Sequence, residues 1–356
     1  MAISHDWSAQ VLKQKEKTMT QHKIIGIDLA KNIFFLVEIN NKGKNLSRKK
    51  LQRNRLLNYI ANQSPCIIAM EACSGAHYWA REFEKLGHES LLYPPQHVKN
   101  QRRKQKNDYN DAEAIAELAL YQRVYPVPHK SIEQQDIQSL IRMHRLCVTE
   151  RTRLINQVRG LIAEYGIIIP QGKAPFRQAI PEILEDVENQ LSPILRELLS
   201  HQYERYLYID EQIQWFEEKL NQTVKQFDNA KRLMSIPGFG PLTSQAVAVW
   251  LGSGLQFKTG RDASAAMGLV PKQDTTGGNV ILLGITKRGN TYIRSLLVHG
   301  ARAALRRAKF KSDKLSKWML ELQERRGPNR AAVALANKLM RIAWAIIAKN
   351  EEYQPA

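Results

Sequence analysis

The stretch Ile24-Ile25-Gly26-Ile27-Asp28-Leu29-Ala30 places one carboxylate in an otherwise apolar run. A second apolar run from Ile33 to Ile39 follows, and then a turn at Asn40-Asn41-Lys42-Gly43, which together predict a β-meander. A carboxylate in the buried part of a strand is costly unless another group compensates its charge. Asp28 is therefore a candidate functional residue, and a structural aspartate in the turn after the strand is the alternative.

The chain after the meander alternates between helical and extended patterns. The predicted order is a helix over 53–63, a strand over Cys66–Met70 that ends on Glu71, a helix over His77–Leu86, and a strand over Ser90–Tyr93. Such alternation predicts a mixed sheet covered by helices. Because Asp28 and Glu71 end neighbouring strands, we expect their carboxylates at the same edge of that sheet.

Two aspartates three residues apart open the next helical run, in Lys106-Asn107-Asp108-Tyr109-Asn110-Asp111-Ala112. The spacing puts both carboxylates on one helix face, where they can share a hard cation. The alternative is that Asp108 caps the helix and Asp111 complements its dipole. Acidic residues on adjacent strands and on a following helix form the ribonuclease H-like arrangement, which holds two divalent cations against a scissile phosphate. We therefore predict an α/β ribonuclease H-like N-terminal domain whose Mg²⁺ ligands are Asp28, Glu71, Asp108 and Asp111.

The chain of 356 residues carries 53 Lys and Arg against 34 Asp and Glu, a formal net charge of +19. Its length predicts two or three domains. Its charge predicts a polyanionic partner, most often nucleic acid, with an anionic membrane as the lesser alternative. No run approaches the apolar length that spans a bilayer and no signal-peptide pattern is visible, so we expect a cytoplasmic protein. The three cysteines, Cys66, Cys73 and Cys147, form no CxxC pair and are predicted to be reduced.

Four regions are predicted along the chain. Residues 1–21 are polar and aperiodic and are predicted to be a mobile extension, with Met19 as an alternative start. Residues 22–130 form the catalytic domain. In residues 131–232, runs from Ile132 to Tyr165 and from Ile183 to Phe227 favour a long antiparallel helical hairpin or coiled coil, which usually mediates assembly, although an intramolecular bundle leaves the same pattern. Residues 233–356 form a mostly α C-terminal domain.

Basic residues crowd two parts of the chain. The approach to the paired aspartates suits a phosphate-tracking loop or, alternatively, a solvated loop, and contains Lys99, Arg102, Arg103, Lys104 and Lys106. From Ile285 to Lys349 cationic residues far outnumber acidic ones, and apolar residues at helical spacing give the helices one core face and one basic face. The residues predicted to contact nucleic acid there include Lys287, Arg288, Arg294, Arg302 and Arg306. Binding is expected to weaken steeply as the salt concentration rises.

Three of these motifs resemble the sequence blocks of the DEDD transposases, recombinases of bacterial insertion sequences related to the pilin-gene invertase. The blocks are Gly26-Ile27-Asp28-Leu29-Ala30-Lys31, Met70-Glu71-Ala72-Cys73-Ser74-Gly75 and Lys106 to Ala112. The resemblance implies a Holliday-junction-resolvase-like catalytic domain in which Asp28, Glu71, Asp108 and Asp111 bind Mg²⁺. It also implies a homo-oligomer, a dimer or tetramer joined by an inter-subunit coiled coil. The implied partners are element-end and target DNA and a structured noncoding guide RNA, the bridge RNA.

The C-terminal region extends this resemblance. The turn Ser235-Ile236-Pro237-Gly238-Phe239-Gly240-Pro241-Leu242-Thr243 is similar to a helix-hairpin-helix, with a plain helix-helix turn as the alternative. Three later blocks are similar to the C-terminal transposase domain of the family: Ala265 to Pro271, Lys272 to Asn279, and Gly284 to Asn290.

The family carries a nucleophilic serine in this C-terminal region, which becomes covalently joined to DNA, whereas the matching positions here hold Thr275 and Thr276. The extra methyl group of threonine restricts χ1 and crowds the approach to phosphorus. Thr276, just before a glycine, is the predicted nucleophile; the alternatives are Thr275, Ser264 or Ser253, or an impaired copy. Two other functions remain open: a hydrolytic nuclease or resolvase that uses water, and a nucleic-acid-binding protein without enzymatic activity.

Overall fold

The computed structural model describes residues 23–102, 105, 107–122, 124–277 and 279–354. The predicted mobile extension, residues 1–21, lies outside the described residues. The chain forms two compact units, Met1–Ser131 with Gly252–Lys258 (unit 1) and Ile132–Leu251 with Thr259–Ala356 (unit 2). The finer division of the C-terminal part at residue 232 stays a prediction.

Unit 1 is built on a five-stranded mixed sheet of order β3-β2-β1-β4-β5. The strands are β1 (Ile24–Leu29), β2 (Ile33–Ile39), β3 (Asn45–Gln52), β4 (Ile67–Glu71) and β5 (Glu89–Tyr93). β1, β2 and β3 pair antiparallel, while β4 pairs parallel with both β1 and β5. The predicted β-meander and mixed sheet are therefore confirmed.

Four helices flank this sheet: α1 (Leu56–Ala61), α2 (Ala76–Lys85), α3 (Pro95–Gln101) and α4 (Asp108–Tyr121). Because side chains alternate along a strand, each strand contributes to two cores. Ile25 and Ile27 pack with α1 and α2 residues on one face, whereas Ile24 packs with Ile115 and Ala116 of α4 on the other. Helices therefore cover both faces, as predicted.

Unit 2 contains two long helices, α5 (Ile132–Ala163) and α7 (Pro193–Gln226), with α6 (Lys173–Glu185) between them in sequence. An ion pair joins Arg151 of α5 to Asp210 of α7 and, two helical turns away, His144 Nε2 of α5 lies 3.7 Å from Glu217 Oε1 of α7. As the residue number falls on α5 it rises on α7, so the helices run antiparallel. The first predicted helical run is present, whereas the second is interrupted at residues 186–192 and continues as α7. A supercoiled, subunit-joining role for these helices stays a prediction.

The Arg151–Asp210 pair lies between α5 and α7, with side chains only 15% and 9% exposed. Replacing Asp210 by alanine is expected to lower the free energy of unfolding by about 3 kcal/mol, because it leaves the Arg151 charge enclosed without its carboxylate. Glu150 pairs with Arg205 between the same helices at 38% and 52% exposure, so Glu150→Ala is expected to cost less than about 1 kcal/mol. Chemical denaturation measures the free energy of unfolding of both variants. Equal losses would contradict the conclusion that the enclosed Arg151–Asp210 pair stabilises the chain more than the exposed Glu150–Arg205 pair does.

The rest of unit 2 comprises a helical group and one hairpin. The helices are α8 (Asp228–Leu233), α9 (Pro241–Leu251), α10 (Gly260–Ala266), α11 (Thr291–Ala308), α12 (Lys314–Arg326) and α13 (Pro328–Ala348). Between α10 and α11, strands β6 (Pro271–Thr276) and β7 (Asn279–Ile285) pair antiparallel. All residues of this hairpin that the structure describes are exposed except Ile285, which is half-buried.

Helix α13 corrects one sequence-based expectation. From the sequence, no apolar run long enough to span a bilayer is expected. Among the described residues, α13 is nevertheless long and apolar enough to do so by length and composition. Half of its apolar window is buried within the protein, and it packs against α10, α11 and α12. Leu335, Leu339 and Ala343 are completely buried there, as in the core helix of a globular unit.

Candidate active site

The register of two parallel strands places the first pair of acidic residues side by side. β1 and β4 align from Ile24 opposite Ile67 to Ile27 opposite Met70, so the next position sets Asp28 beside Glu71. Neighbouring strands lie about 4.8 Å apart, and residues level with each other in a parallel pair point to the same face. Ile24 and Ala69 lie an even number of residues before Asp28 and Glu71, so their side chains point to the same face of the sheet. Both pack in the core that contains Ile115 and Ala116 of α4, so α4 covers that face.

The first turn of α4 carries the second pair, Asp108 and Asp111. Helix α4 packs directly on β1 because Gly26 has no side chain: a Cβ there would collide with the Ala112 carbonyl oxygen and lie 2.7 Å from the Ala116 nitrogen. The N-cap of the helix is Asn107, whose side chain accepts from the Tyr109 N–H at 2.9 Å. The alternative in which Asp108 serves as the cap is therefore wrong, and its carboxylate is not used for that purpose.

The carboxylates of this site influence one another. Burial, and then the negative charge of Asp111, raise the pKa of Glu71 above its ordinary value. The pKa of the neighbouring Cys73 thiol is raised by burial and by the charges of Glu71 and Asp28. Asp28, Glu71 and Asp111 thus share one region of negative potential, which favours a bound cation.

Arg102 supplies a positive charge to this region. Its guanidinium donates to Asp111 Oδ1 at 2.7 Å, and both side chains are mostly buried. Arg102 was predicted to track phosphate, and it is engaged with a site carboxylate instead. Of the other predicted loop residues, Lys99 is exposed, while Arg103, Lys104 and Lys106 lie outside the described residues.

The donor set has the chemistry of a divalent-cation site. The four acidic residues offer only carboxylate oxygens, which Mg²⁺ prefers. Among the residues that the structure describes, no three acidic, histidine or cysteine side chains already stand in a metal-ligating group. Asp28 and Glu71 lie at one edge of the sheet, and Asp111 lies close enough for its charge to raise the pKa of Glu71. Metal ligation by the four acidic residues stays a prediction.

The candidate nucleophiles lie on the hairpin of unit 2. Thr275 pairs with Val280 and Thr276 with Asn279, and both threonines are exposed. Gln273 Nε2 donates to Thr275 Oγ1 at 3.0 Å, whereas Thr276 stands next to the turn. The adjoining Gly278 lies outside the described residues.

The two serine alternatives occupy different environments. Ser264 is completely buried, so its hydroxyl cannot meet a phosphate while α10 stays folded. Ser253 is exposed and belongs to the segment of unit 1 that follows α9. The threonines of the hairpin are therefore better placed than Ser264 to reach a nucleic acid.

Arg294 requires a correction among the residues predicted to contact nucleic acid. It is only 8% exposed, and its guanidinium donates to the carbonyl oxygens of Met267 and Arg288 and to Thr291 Oγ1. These bonds hold the segment before α11 in place and engage the guanidinium of a side chain that is almost entirely buried. The other members of that set are exposed: Lys287, Arg288, Arg302 and Arg306.

The glycine-rich turn before α9 has a packing role. Gly238 has a φ of 85°, and a Cβ there would lie 2.7 Å from the carbonyl carbon of Gly300 in α11. Glycine is therefore required at 238 by backbone conformation and by close helix packing. A plain helix-helix turn can require a glycine in this way, so the glycine at 238 is explained without invoking phosphate binding.

Sequence reasoning missed the role of Gly26 in building the site and the partner of Arg102. Gly26 permits the approach of α4, and the available signal was a glycine inside a strand, which often marks a close backbone contact. The pairing of Arg102 with Asp111 carried no such signal, because ion pairs across a loop have no fixed spacing.

The sequence matches two family models. One, described as a transposase, covers residues 25–167, and the other, described as the IS116/IS110/IS902 transposase family, covers residues 230–316. The chain is 42% identical to the transposase for insertion sequence element IS1111A of Coxiella burnetii, over 97% of this chain and 94% of the relative. The chain belongs to the IS116/IS110/IS902 family of transposases. The predicted resemblance to DEDD transposases is thereby confirmed.

Two further relatives span nearly the whole transposase. A probable family 20 transposase of Pseudomonas aeruginosa is 40% identical over 93% of this chain and 98% of its own length. The transposase for insertion sequence element IS1328 of Yersinia enterocolitica is 39% identical over 91% and 96%. In this transposase the first matched region contains all four acidic candidates, and the second contains Thr275 and Thr276.

Proposed function

We propose that this transposase cuts and rejoins DNA at the ends of its element through a Mg²⁺ site formed by Asp28, Glu71, Asp108 and Asp111 in a ribonuclease H-like domain. The observation that carries the proposal is the register of β1 and β4, which sets Asp28 beside Glu71 on the face covered by α4. The pKa of Glu71, raised by burial and then by the charge of Asp111, supports it, because a divalent cation would compensate both carboxylates.

The hydroxyl of Thr276 is the proposed nucleophile. Asp28, Glu71, Asp108 and Asp111 would hold divalent cations, which would supply positive charge to the scissile phosphate and to the attacking and leaving oxygens. Thr276 Oγ1 forms a bond to phosphorus, the bond from phosphorus to the departing DNA oxygen breaks, and the hydroxyl proton passes to that oxygen or to solvent. The DNA strand is then held as a phosphothreonine ester until a second DNA hydroxyl displaces Thr276.

The proposal includes a homo-oligomer, a dimer or tetramer, in which one subunit completes the site of another. The acidic residues belong to unit 1 and the threonines to unit 2. Next to the threonines, four consecutive apolar residues of β7 are more than half exposed: Val280, Ile281, Leu282 and Leu283. Exposed apolar side chains on α5 and α7, such as Leu146 and Trp215, also suit a subunit-joining coiled coil.

The proposed partners are element-end DNA, target DNA and a noncoding bridge RNA that selects both by base pairing. The support is the net charge of +19 together with exposed Lys287, Arg288, Arg302 and Arg306, which suit the phosphates of either nucleic acid. The proposed location is the cytoplasm, on the nucleoid when bound to DNA.

The test is a search for a covalent protein-DNA adduct. The full chain is incubated with Mg²⁺, the noncoding RNA that flanks the element, and end-labelled element-end DNA, and products are resolved on denaturing gels. The adduct is expected with the unaltered chain and with Thr275→Ala, to disappear with Thr276→Ala, and to persist with Thr276→Ser.

Three other outcomes contradict parts of the proposal. Loss of the adduct with Thr275→Ala alone moves the nucleophile to Thr275. Cleavage without any adduct, insensitive to both threonine changes, means that water is the nucleophile and the protein is a hydrolytic nuclease. DNA binding without cleavage under all conditions supports the non-enzymatic function.

A further inference from the structure

The corner between α11 and α12 presents one aromatic ring to solvent. Phe310 is 78% exposed, the highest value for an aromatic side chain among the described residues. Its backbone is ordered, because the Phe310 N–H donates to the Arg307 carbonyl at 3.1 Å and the Lys311 N–H donates to the Ala308 carbonyl at 3.0 Å. The ring therefore stands on a fixed turn, and its exposure is a feature of the folded corner.

Cationic residues flank this ring in the sequence, and the side chain of one of them lies close to it. Lys309 Nζ lies 4.9 Å from the ring centroid. Six exposed cations flank Phe310 along the chain, and none of them forms an ion pair with a described residue: Arg306, Arg307, Lys309, Lys311, Lys314 and Lys317.

The single carboxylate between Arg306 and Lys317 accepts hydrogen bonds at the start of a helix. Asp313 caps α12 by accepting from the Ser316 N–H at 2.9 Å and from the Ser316 hydroxyl at 2.7 Å. Six cations against this one carboxylate give the stretch from Arg306 to Lys317 a net positive charge, which an anionic partner complements.

We propose that Phe310 stacks on an unpaired nucleobase whose flanking phosphates are held by the cations of this corner. Base-aromatic stacking needs one accessible ring beside a basic track. Between Arg302 and Met319, Phe310 is the one large apolar side chain that is exposed among the described residues, so the corner lacks the wide apolar face with which helices enter membranes. An anionic membrane is therefore the less suitable occupant. The inference rests on the proposed nucleic-acid function and adds to it a site for single-stranded segments.

The test measures binding of the full chain to fluorescent single-stranded DNA, single-stranded RNA and duplex DNA by anisotropy at several salt concentrations. Phe310→Ala is expected to weaken single-strand binding about 5- to 100-fold, with duplex binding and the salt slope unchanged. Phe310→Tyr, which keeps the ring, is expected to bind as the unaltered chain does. A double change of Lys309 and Lys311 to glutamine is expected to reduce the salt slope for single and double strands alike.

A matched control is Tyr208→Ala on α7, which removes an aromatic ring that is 62% exposed between Glu204 and Glu211. It is expected to change no affinity. If Phe310→Ala loses more affinity for single-stranded DNA than for single-stranded RNA, or the reverse, the more affected strand supplies the base.

Two results overturn the inference. In the first, Phe310→Ala binds single strands as tightly as Tyr208→Ala does. In the second, Phe310→Ala loses affinity only for vesicles of anionic phospholipid, which assigns the corner to a membrane. If the unaltered chain binds no nucleic acid at all, the proposed function fails as well, and the two failures are thereby distinguished.

Discussion

Replacing Asp28 by asparagine is expected to slow Mg²⁺-dependent strand cleavage by about a thousandfold or more. The side chain keeps its size, but the site loses one negative charge beside Glu71, and metal stabilisation of a phosphoryl transition state amounts to several kcal/mol. The measurement is single-turnover cleavage of end-labelled element-end DNA. DNA affinity and the unfolding midpoint are expected to stay close to their original values, because Asp28 is only partly buried at the end of its strand.

The control for this experiment is Glu113→Gln. Glu113 also lies on α4, but its carboxylate pairs with Arg48 of β3 at 3.2 Å, and the pair is partly exposed. Removing that charge is expected to leave cleavage within about twofold, as for an ordinary surface ion pair. Full activity of the Asp28→Asn chain would remove the metal site from the proposed function.

Replacing Gly26 by alanine is expected to lower the free energy of unfolding by about 3 kcal/mol and to abolish cleavage with it. The added methyl group would occupy the space of the Ala112 carbonyl and approach the Ala116 nitrogen, both backbone atoms of α4 that no side-chain rotation can move. Helix α4 must shift away from β1, and it carries Asp108 and Asp111 with it. Denaturation and cleavage of the same preparation measure the two effects.

Gly160→Ala is the matched control for this substitution. Gly160 is an exposed residue inside α5, and a Cβ there meets nothing within 4 Å. Alanine favours a helix over glycine, so this change is expected to stabilise the chain by about 0.5–1 kcal/mol without affecting cleavage. A Gly26→Ala chain that is as stable and active as the original would refute the close approach of α4 to β1.

The sheet and its acidic edge could be predicted because the relevant signals are local. Apolar runs that end on Asp28 and Glu71 mark both the strands and the residues at their ends, and strand pairing then follows from alternation. A glycine inside β1 signals a close backbone approach but not that α4 makes it, and the pairing of Arg102 with Asp111 carries no signal. Each contact depends on groups that folding brings together from different elements.

The helical region shows where periodicity is insufficient. Met143 and Leu161 of α5 fall at helical spacing with the buried Leu154, yet both are nearly half exposed. The buried face of α5 includes Ile137, Ile141 and His144 instead. Apolar residues are frequent on all sides of this helix, so the sequence alone could not select the face that packs on α7. For α7, a break at residues 186–192 divides the predicted run, and the helix begins at Pro193.

The position of α13 in the chain has a consequence for synthesis. The sheet of unit 1 and its covering helices are encoded before residue 122, whereas the helices that carry the basic surface pack on α13, which begins at Pro328. At translation rates of 5–20 residues per second, roughly 10 to 40 s separate the two on the ribosome. During that interval the acidic edge can already fold, while the basic helices still lack the apolar helix that completes their core. A nascent chain can therefore form the strands that carry Asp28 and Glu71 before the core beneath the basic helices of unit 2 is complete.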